Sequence, residues 1–471
     1  MSFLDGDYGL AEGQRLEFKE ASGGLPDDVW ESYSAFANTE GGEIVLGVSE
    51  DRSSHEFCLV GVPDPDALVD EFWRAVRNPN RVSRDIMPAD GVRAVERGGL
   101  AFVVITVPRA ERDERPVEAY DRRRKAMVAY VRRGSCDMAA TEGDLALMRY
   151  DCERSADRAP LERFGPDALD GETVARYRNL FSSVRPGSPW NSDSDEDFLY
   201  RVGALAKARD GGLAPTRAGL LAFGHEYEIT NYLPGFLLDY RDETSGARRW
   251  DDRIVSQSGD WSGNVFDFHR RVTGRLAQRF PAPFTADATG RRHGAGNPFA
   301  EAVNEAVTNA LVHAYYGSRA SVLVALRPDG LTVSNPGGML VDRDVAVAGG
   351  FSEPRNPTLM RIMSLAGAGD RAGSGLRKIW DTWRDAYGIE PSLEEGHAPA
   401  SVTLSLPLPG AAAPAGDPLS AALSSPGGVT AREAAVILGV SERVAQKRLL
   451  ALFKAGSVFR TRRGRSFAYR I

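Results

Sequence analysis

The stretch that decides the fold of the first part of the chain reads Glu12-Gly-Gln-Arg-Leu-Glu17-Phe18-Lys19 and, further on, Phe36-Ala-Asn38-Thr39-Glu-Gly41-Gly42-Glu-Ile-Val-Leu-Gly47-Val48-Ser49-Glu50-Asp51. Apolar and charged residues alternate over 16–19, which predicts a half-buried strand. An apolar stripe at helical spacing over 27–38 predicts a helix that the glycine pair 41–42 ends. The apolar run 44–48 predicts a second strand, so the stretch indicates a strand, a helix and a strand.

Carboxylate side chains lie at the ends of these two predicted strands. Glu12 and Glu17 flank the first strand, and Glu50 or Asp51 ends the second. Three carboxylates that converge from strand ends can hold Mg²⁺ or Mn²⁺, the usual arrangement for metal-assisted phosphodiester hydrolysis. Carboxylates that are only solvated produce the same spacing. The sequence therefore leaves a metal site and a solvated set as alternatives.

The same residues resemble a known domain family. The patterns Glu12-x4-Glu17-Phe18-Lys19 and Phe36-Ala-Asn38-Thr39-x-Gly41-Gly42, with the later Val128-Ala-Tyr130-Val-Arg132-Arg133-Gly134, are similar to the AlbA-2 domain of Schlafen proteins and bacterial regulators. In nuclease members two glutamates and a later aspartate hold the metal. The resemblance implies that Glu12 and Glu17 are catalytic metal ligands, with Glu50 at the aspartate position. The change from aspartate to Glu50 weakens the prediction of cleavage and leaves the prediction of nucleic-acid binding unchanged.

Composition bounds the class of protein. The chain has 471 residues and a net charge of −7 at pH 7, so nucleic-acid binding must come from local basic patches. Its three cysteines, Cys58, Cys136 and Cys152, show neither disulfide nor metal-ligand spacing. No apolar run is long enough to span a bilayer. We therefore expect a cytoplasmic protein that has no membrane partner.

Two basic clusters flank a predicted strand over 126–131. They are Arg122-Arg123-Arg124-Lys125 before the strand and Arg132-Arg133 after it, and Tyr120 and Tyr130 lie nearby. Cations with aromatic support suit a phosphate backbone, and Lys19 is a further candidate contact. A solvated charged hairpin has the same pattern, so both interpretations stay open.

A second candidate site begins on a helix predicted within residues 297–315. Glu305, Asn309 and His313 lie four residues apart and project from one helical face. A carboxylate there can orient a water molecule, and an amide oxygen can ligate Mg²⁺ between phosphates. The spacing alone also fits an ordinary polar face. The segment Gly373-Ser374-Gly375, which enters a further predicted helix, favours a phosphate site at that helix N-terminus.

The order of these motifs resembles the GHKL ATPase fold of gyrase, Hsp90, histidine kinases and MutL. It is most similar to the version that follows AlbA-2 domains and is often labelled RecG-like, which Arg355-Asn356-Pro357 also resembles. The resemblance implies ATP with Mg²⁺, with Asn309 on the metal and Glu305 as catalytic base. Asn335 takes the place of an adenine-reading aspartate. The ATP-binding residues that it implies are Glu305, Asn309, His313, Asn335, Gly337, Gly373, Ser374 and Gly375.

The tail of the chain predicts a winged helix-turn-helix. Thr430-Ala-Arg-Glu433 predicts a capping box that opens a first helix, a second helix follows from Ser441, and two strands surround Arg463-Gly464. From Val429 onward ten Arg or Lys residues stand against two Glu, a net charge of +8. A winged helix that binds protein is the alternative. The predicted nucleic-acid contacts of this tail are Arg443, Lys447, Arg448, Arg462, Arg463 and Arg465.

These patterns together predict an α+β multidomain chain. The predicted parts are an AlbA-2 α/β domain (1–150), a helical and mixed connector (151–290), a GHKL-like α/β sandwich (291–408), a flexible linker (409–428) and the winged helix-turn-helix (429–471).

From these parts we expect an ATP-responsive DNA-binding transcription regulator that meets DNA through the winged helix and RNA or DNA through the AlbA-2 domain. An ATP-gated, metal-dependent endonuclease in stress or phage defence and an interaction scaffold are the alternatives. Because Schlafen nucleases grip substrate between two lobes and this chain has one, we expect a homodimer or larger assembly.

Overall fold

The computed structural model describes residues 12–51, 56–246, 249–279, 285–286, 292–293, 297–350, 353–369, 375–397, 399–408, 423 and 428–438, and then 442, 445–446, 449–450, 453, 458–463 and 466–470. The chain forms two compact units, residues 1–152 with 414–471, and residues 153–413. Helix accounts for 39% of it and strand for 27%, so the α+β multidomain class is confirmed. Among the described helices, none combines the length and the apolar composition that crossing a bilayer requires.

The first unit begins with the predicted strand, helix and strand. Its elements up to residue 152 are β1 (Leu16–Lys19), α1 (Val29–Asn38), β2 (Gly42–Leu46), β3 (Val48–Asp51), β4 (Glu56–Leu59), α2 (Pro65–Val76), β5 (Val92–Arg97), β6 (Leu100–Val107), a 3₁₀ turn (Arg112–Glu114), β7 (Glu118–Asp121), β8 (Ala126–Arg133), β9 (Cys136–Ala139) and α3 (Glu142–Cys152). The main sheet has the order β1-β2-β6-β5, and a second sheet has the order β7-β8-β9. β1 and β2 pair in parallel because α1 crosses between them.

Helix α1 is buried on almost every side because it contacts strands of both sheets. A helix in that position must satisfy its polar side chains inside the protein. Asn38 Nδ2 donates to the carbonyls of Val117 (2.7 Å) and Tyr130 (2.9 Å), and its Oδ1 accepts from the Val117 N–H (2.8 Å). The Thr39 hydroxyl accepts from the Arg132 N–H. Asn38 and Thr39 therefore join the end of α1 to β8 through hydrogen bonds.

The second unit contains most of the remaining helices. Its elements are 3₁₀ turns (Pro166–Ala168, Pro189–Ser192 and Ser256–Ser258), α4 (Gly171–Val184), α5 (Asp195–Val202), β10 (Leu205–Lys207), β11 (Leu213–Pro215), α6 (Arg217–Phe223), α7 (Glu226–Tyr232), β12 (Leu238–Asp242), β13 (Asp252–Val255), α8 (Val265–Arg279), β14 (Thr285–Ala286), β15 (Arg292–His293), α9 (Pro298–His313), β16 (Val322–Arg327), β17 (Gly330–Pro336), α10 (Arg343–Ala348), α11 (Pro357–Leu365), α12 (Gly375–Tyr387), β18 (Ser392–His397) and β19 (Ala400–Pro407).

A six-stranded sheet with the order β13-β12-β16-β17-β19-β18 organises this unit. β12 and β16 are its parallel pair, and the other neighbours are antiparallel. One hydrophobic core runs from Phe164 to Leu406, and it includes α8 and α9. The segment predicted as a connector, 151–290, supplies β12, β13 and α8 to that sheet and core. The predicted boundary at residue 290 therefore does not coincide with a break in packing.

The described part of the C-terminal segment is a small sheet with one helix. Its elements are β20 (Val429–Thr430), α13 (Ala431–Leu438), β21 (Phe459–Arg463) and β22 (Ser466–Arg470), and the strand order is β20-β22-β21. The predicted capping box is confirmed, because the Thr430 N–H donates to Glu433 Oε2 (2.9 Å) and the Glu433 N–H donates to the Thr430 hydroxyl (3.3 Å). Most of the predicted second helix and the wing tip at 464–465 lie outside the described residues.

Candidate functional site

A cavity in the second unit brings together side chains from α9, the sheet and the start of α12. Glu305, Asn309 and His313 line it from α9, Asn335 lines it from β17, and Gly375 lines it from α12. The empty space, including the open solvent at its mouth, is about 890 Å³. The helical face that the sequence predicted therefore faces a cavity.

The walls of this cavity are mostly apolar. They are formed by Ala306, Ala310, Val333, Leu393, Val402 and Leu404. Three polar side chains lie at separate positions on these walls. Asn335 is buried in β17, and Glu305 and Asn309 lie on α9. An apolar cleft with a few placed polar groups is the usual form of a cofactor site.

Glu305 lies against the first residue of α12. A Cβ atom added to Gly375 would fall 2.0 Å from Glu305 Oε1, so a larger residue there would force the Glu305 carboxylate to move. The backbone N–H groups and the dipole at a helix start favour negative charge, and they attract a carboxylate or a phosphate equally. Lys378 Nζ, one turn into α12, pairs with Glu301 Oε2 on α9 at 2.9 Å. The two helices are thus joined at the place where an anion is favoured.

The strand end after Asn335 has two glycines with different roles. Gly337 has a φ of +94°, and an added Cβ would fall 2.6 Å from Arg355 Nη1. Gly338, and not the predicted Gly337, lines the cavity among the described residues. Gly373 and Ser374, the predicted phosphate contacts, lie outside the described residues.

The Arg355-Asn356-Pro357 motif supports the cavity from behind. Asn356 Nδ2 donates to the carbonyls of Val312 (3.0 Å) and Ala314 (2.8 Å) at the end of α9. The buried Arg355 guanidinium donates to the His313 and Gly338 carbonyls. These groups satisfy carbonyls that a helix end leaves without intrahelical partners. The motif was visible in the sequence, but this structural role was not.

The residues present fit a nucleotide with a divalent cation. The apolar walls suit a base, Asn335 offers an amide to it, and the start of α12 suits phosphate. Asn309 would ligate the cation through its amide oxygen. Bound in this way, the nucleotide would supply a transferable phosphoryl group, and Glu305 would hold a water molecule or accept its proton.

The carboxylates of the first unit are arranged differently from the predicted metal site. Glu17 Oε1 lies 2.8 Å from Lys19 Nζ, and Glu17 Oε2 lies 2.7 Å from Arg132 Nη1. Glu50 is exposed on β3. Over the described residues, no three His, Cys, Asp or Glu side chains are grouped to hold a metal ion. The predicted convergence of Glu12, Glu17 and Glu50 on a cation is therefore not observed, and both oxygens of Glu17 pair with cationic side chains instead.

Glu12 nevertheless lies near Glu17 and is electrostatically perturbed. Its Oε1 accepts from the Phe18 N–H at 3.0 Å. Burial, and then the charge of Glu17, raise the pKa of Glu12 to about 7. A carboxyl that is half protonated at neutral pH is a weaker ligand for a cation than a carboxylate.

The predicted nucleic-acid contacts of the first unit divide into buried and exposed groups. The Arg132 side chain has no exposed surface, because it pairs with Glu17 and Asp137, so the prediction that it contacts nucleic acid is wrong. Arg133 pairs with Asp144 at 2.9 Å, and Lys19 bridges Glu17 and Asp28.

The other predicted cations lie at the β7–β8 turn. Arg122, Arg123 and Arg124 are exposed there, and Lys125 accompanies them. Of the tail residues, Arg443, Lys447, Arg448 and Arg465 lie outside the described residues, and Arg462 and Arg463 are described as part of β21 but not in their side chains.

Three family models match parts of the chain. The family described as "Schlafen, AlbA_2" matches residues 12–141. The family described as "Putative ATP-dependent DNA helicase recG C-terminal" matches residues 320–404. A "Domain of unknown function (DUF8451)" matches residues 146–239. No curated protein matches the chain.

Two solved structures are similar to parts or all of the chain. The crystal structure of the DIP2311 protein from Corynebacterium diphtheriae has 18% identity and a TM-score of 0.41, and the match covers 97% of this chain and 92% of that one. A solution NMR structure is described as the N-terminal domain of "Putative ATP-dependent DNA Helicase RecG-related Protein" from Nitrosomonas europaea. It has 28% identity and a TM-score of 0.22, and the match covers 28% of this chain and 86% of that one.

The chain therefore combines two classes of domain. One belongs to proteins associated with nucleic acid, and the other is of the ATPase type. Specifically, the chain carries a Schlafen-type AlbA-2 domain and a domain of the RecG C-terminal family, as predicted. The winged helix over 429–471 stays a prediction.

Proposed function

We propose that this protein binds nucleic acid and that ATP with Mg²⁺ regulates the binding. The observation that carries the proposal is the placement of Glu305, Asn309 and Asn335 in one apolar cavity, with Glu305 against the start of α12. The match to an ATPase-type domain supports a nucleotide as the ligand of that cavity. The match to a Schlafen AlbA_2 domain supports nucleic acid as the partner.

We propose binding without cleavage, in the role of a DNA-binding transcription regulator. Lys19 and Arg132 both pair with Glu17, so each of its two carboxylate oxygens already has a cationic partner. The +8 charge of the tail supports DNA as the ligand of the predicted winged helix. The three cysteines are unpaired and exposed, which fits the cytoplasmic location that we expect. A homodimer remains part of the proposal, and a monomeric mass by light scattering at micromolar concentration would contradict it.

The nucleotide half of the proposal is tested by ATP binding with and without Mg²⁺, measured by calorimetry. We expect Asn309→Ala to weaken ATP binding at least tenfold in Mg²⁺ and to have a much smaller effect in EDTA, because the amide is proposed to act through the cation. Asn304→Ala, five residues earlier on the same helix and outside the cavity lining, is the matched control. Equal ATP affinity of wild type and Asn309→Ala in Mg²⁺ would contradict the assignment.

The choice between binding and cleavage is tested with labelled tRNA, single-stranded RNA and duplex DNA in Mn²⁺, with and without ATP. We expect each substrate to stay intact under every condition and to show a mobility shift when the protein binds it. Glu17→Gln, which keeps the shape of the side chain, is run beside wild type. Wild-type cleavage that disappears in Glu17→Gln would make the protein a nuclease and overturn the binding role.

A further inference from the structure

A surface groove in the first unit brings together cations from two separate segments of the chain. The groove is lined by Asn78, Asn80 and Arg81 from the loop after α2, and by Tyr120, Arg122 and Lys125 from the β7–β8 turn. The sequence singled out the turn residues but gave no reason to associate the loop with them. The Tyr120 side chain is 38% exposed, which leaves its ring open to a ligand.

The floor of this groove is held by backbone hydrogen bonds. The Tyr120 N–H donates to the Arg81 carbonyl, and the Ser83 N–H donates to the Glu118 carbonyl, both at 2.8 Å. Val82 is buried and bridges to Ala119. The loop is therefore fixed against β7, and its cation has a defined position beside those of the turn.

The turn that presents the other cations is also preorganised. Asp121 Oδ1 accepts from the N–H groups of Arg123 (2.7 Å) and Arg124 (3.0 Å), and its Oδ2 accepts from the Tyr130 hydroxyl (2.9 Å). These bonds, led by the one from Arg124, lower the pKa of Asp121. The carboxylate stays ionised and holds the turn, while Arg122 and Lys125 project from it into the groove.

One acidic side chain, Asp27, pairs with two of the three cations of the groove, Arg81 and Arg122. Asp27 Oδ1 lies 3.0 Å from Arg81 Nη1, and Asp27 Oδ2 pairs with Arg122 Nη1. All three side chains are partly exposed, so the pairs are weak and exchangeable. A phosphate group that entered the groove could replace the Asp27 carboxylate on both guanidinium groups.

We infer that this groove binds the backbone of single-stranded nucleic acid and that Asp27 is an internal competitor for its phosphates. Three cations beside an open aromatic ring and two amide side chains match the recognition of a single strand, in which bases stack on aromatic rings and cations follow the phosphates. The inference rests on the proposed nucleic-acid function and assigns its site on the AlbA-2 domain.

The test uses fluorescence anisotropy of the full-length protein with fluorescein-labelled 20-nucleotide single-stranded RNA, single-stranded DNA and duplex DNA, over a salt series. Arg81→Ala and Lys125→Ala should each lower the slope of log affinity against log salt by about 0.7 for single strands. Tyr120→Ser should weaken single-strand binding about fivefold or more. Asp27→Asn should strengthen it several-fold at low salt. Arg93→Ala, at an ion pair with Glu43 on the main sheet, is the matched control and should change nothing.

Different outcomes separate the inference from the function on which it rests. Single-strand binding that Arg81→Ala and Asp27→Asn leave unchanged, but that Arg443→Ala abolishes, would overturn the groove and keep the proposed function. No binding of any oligonucleotide by wild type at 50 mM salt, with or without ATP, would overturn both. Competition by polyglutamate equal to that by an oligonucleotide of the same charge would show that the groove is not selective for nucleic acid, and would also overturn the inference.

Discussion

Arg132 carries a fully buried guanidinium that connects several parts of the first unit. It pairs with Glu17 and Asp137, and it donates to the carbonyls of Gly13 and Leu16. Its Cζ lies 5.1 Å from the centre of the Phe36 ring. A buried cation with this many partners stabilises the fold chiefly because its removal leaves buried carboxylates without a counter-charge.

Replacement of this arginine tests that structural role. We expect Arg132→Met to lower the free energy of unfolding of the first unit by about 3–5 kcal/mol. Arg93→Met, which removes a half-exposed arginine 3.5 Å from Glu43, should cost less, about 1 kcal/mol. Hydrogen exchange of peptides from α1 and β8 measures both. Equal effects of the two substitutions would show that Arg132 is not a structural centre.

His269 makes the stability of the second unit depend on pH. It is buried in α8, with Nε2 3.1 Å from the Thr308 hydroxyl, and burial lowers its pKa to about 4 from the ordinary 6.5. Below pH 6.5, His269 is therefore protonated in the unfolded chain, whereas in the folded chain it stays neutral until the pH approaches 4. Stability from this group is complete above pH 6.5 and falls as the pH decreases toward 4.

The size of this effect can be measured with a histidine substitution. Between pH 7.5 and 4.5 we expect His269 to account for a loss of about 2–3 kcal/mol in the free energy of unfolding. His269→Gln should remove that share of the pH dependence, whereas His225→Gln, at a partly exposed site, should not. Urea unfolding followed by tryptophan fluorescence reports mainly the second unit, because five of the seven tryptophans lie there. An unchanged slope in His269→Gln would refute the assignment.

Helix α9 is the element on which the nucleotide site depends. It presents Glu305 and Asn309 to the cavity, while Val303, Val307 and Leu311 lie in the core. Its C-terminal end is fixed by side chains of a different segment, Arg355 and Asn356, and by the hydroxyl of Tyr316, which donates to the Leu311 carbonyl. The position of the cavity-lining face is thus determined in part by residues outside the helix.

A substitution outside the cavity should therefore disturb the site through this helix. Asn356→Ala removes two hydrogen bonds to buried carbonyls, which costs about 1–3 kcal/mol. We expect hydrogen exchange in the last turn of α9 to become about tenfold faster and ATP affinity to fall. Ser364→Ala, which removes a bond within α11, is the control. Faster exchange with unchanged ATP affinity would show that the hydrogen bonds from Asn356 to α9 do not position the site.

At the scale of the whole molecule, the proposal requires energetic coupling between the nucleotide and the nucleic acid. If saturating ATP with Mg²⁺ changes the affinity for nucleic acid by some factor, nucleic acid must change the affinity for ATP by the same factor. We expect a factor of about 5 or more in the full-length protein and a factor of 1 in Asn309→Ala. Paired titrations of each ligand in the presence of the other measure it. Equal affinities with and without ATP would show two independent sites.

The order of elements in this chain was determined by the sequence itself. The strand, helix and strand of residues 16–51, the polar face of α9 and the capping box at Thr430 were all predicted, because each rests on interactions within a few residues. Both domain resemblances were likewise carried by short motifs. The GHKL resemblance implied that Glu305, Asn309 and Asn335 belong to one ATP site, whereas the helical spacing by itself related only Glu305 and Asn309.

The tertiary structure decided which charges are neutralised and which remain available. The pairing of Glu17 with Arg132, the joining of β12 to β16 and the meeting of Arg81 with Arg122 on Asp27 all link segments that are distant in the sequence. Periodicity and spacing report only near neighbours, so they cannot distinguish a buried arginine from one that faces solvent. Glu17, which the sequence predicted to be a metal ligand, is instead one partner of a buried ion-pair network, because the fold brings Arg132 next to it.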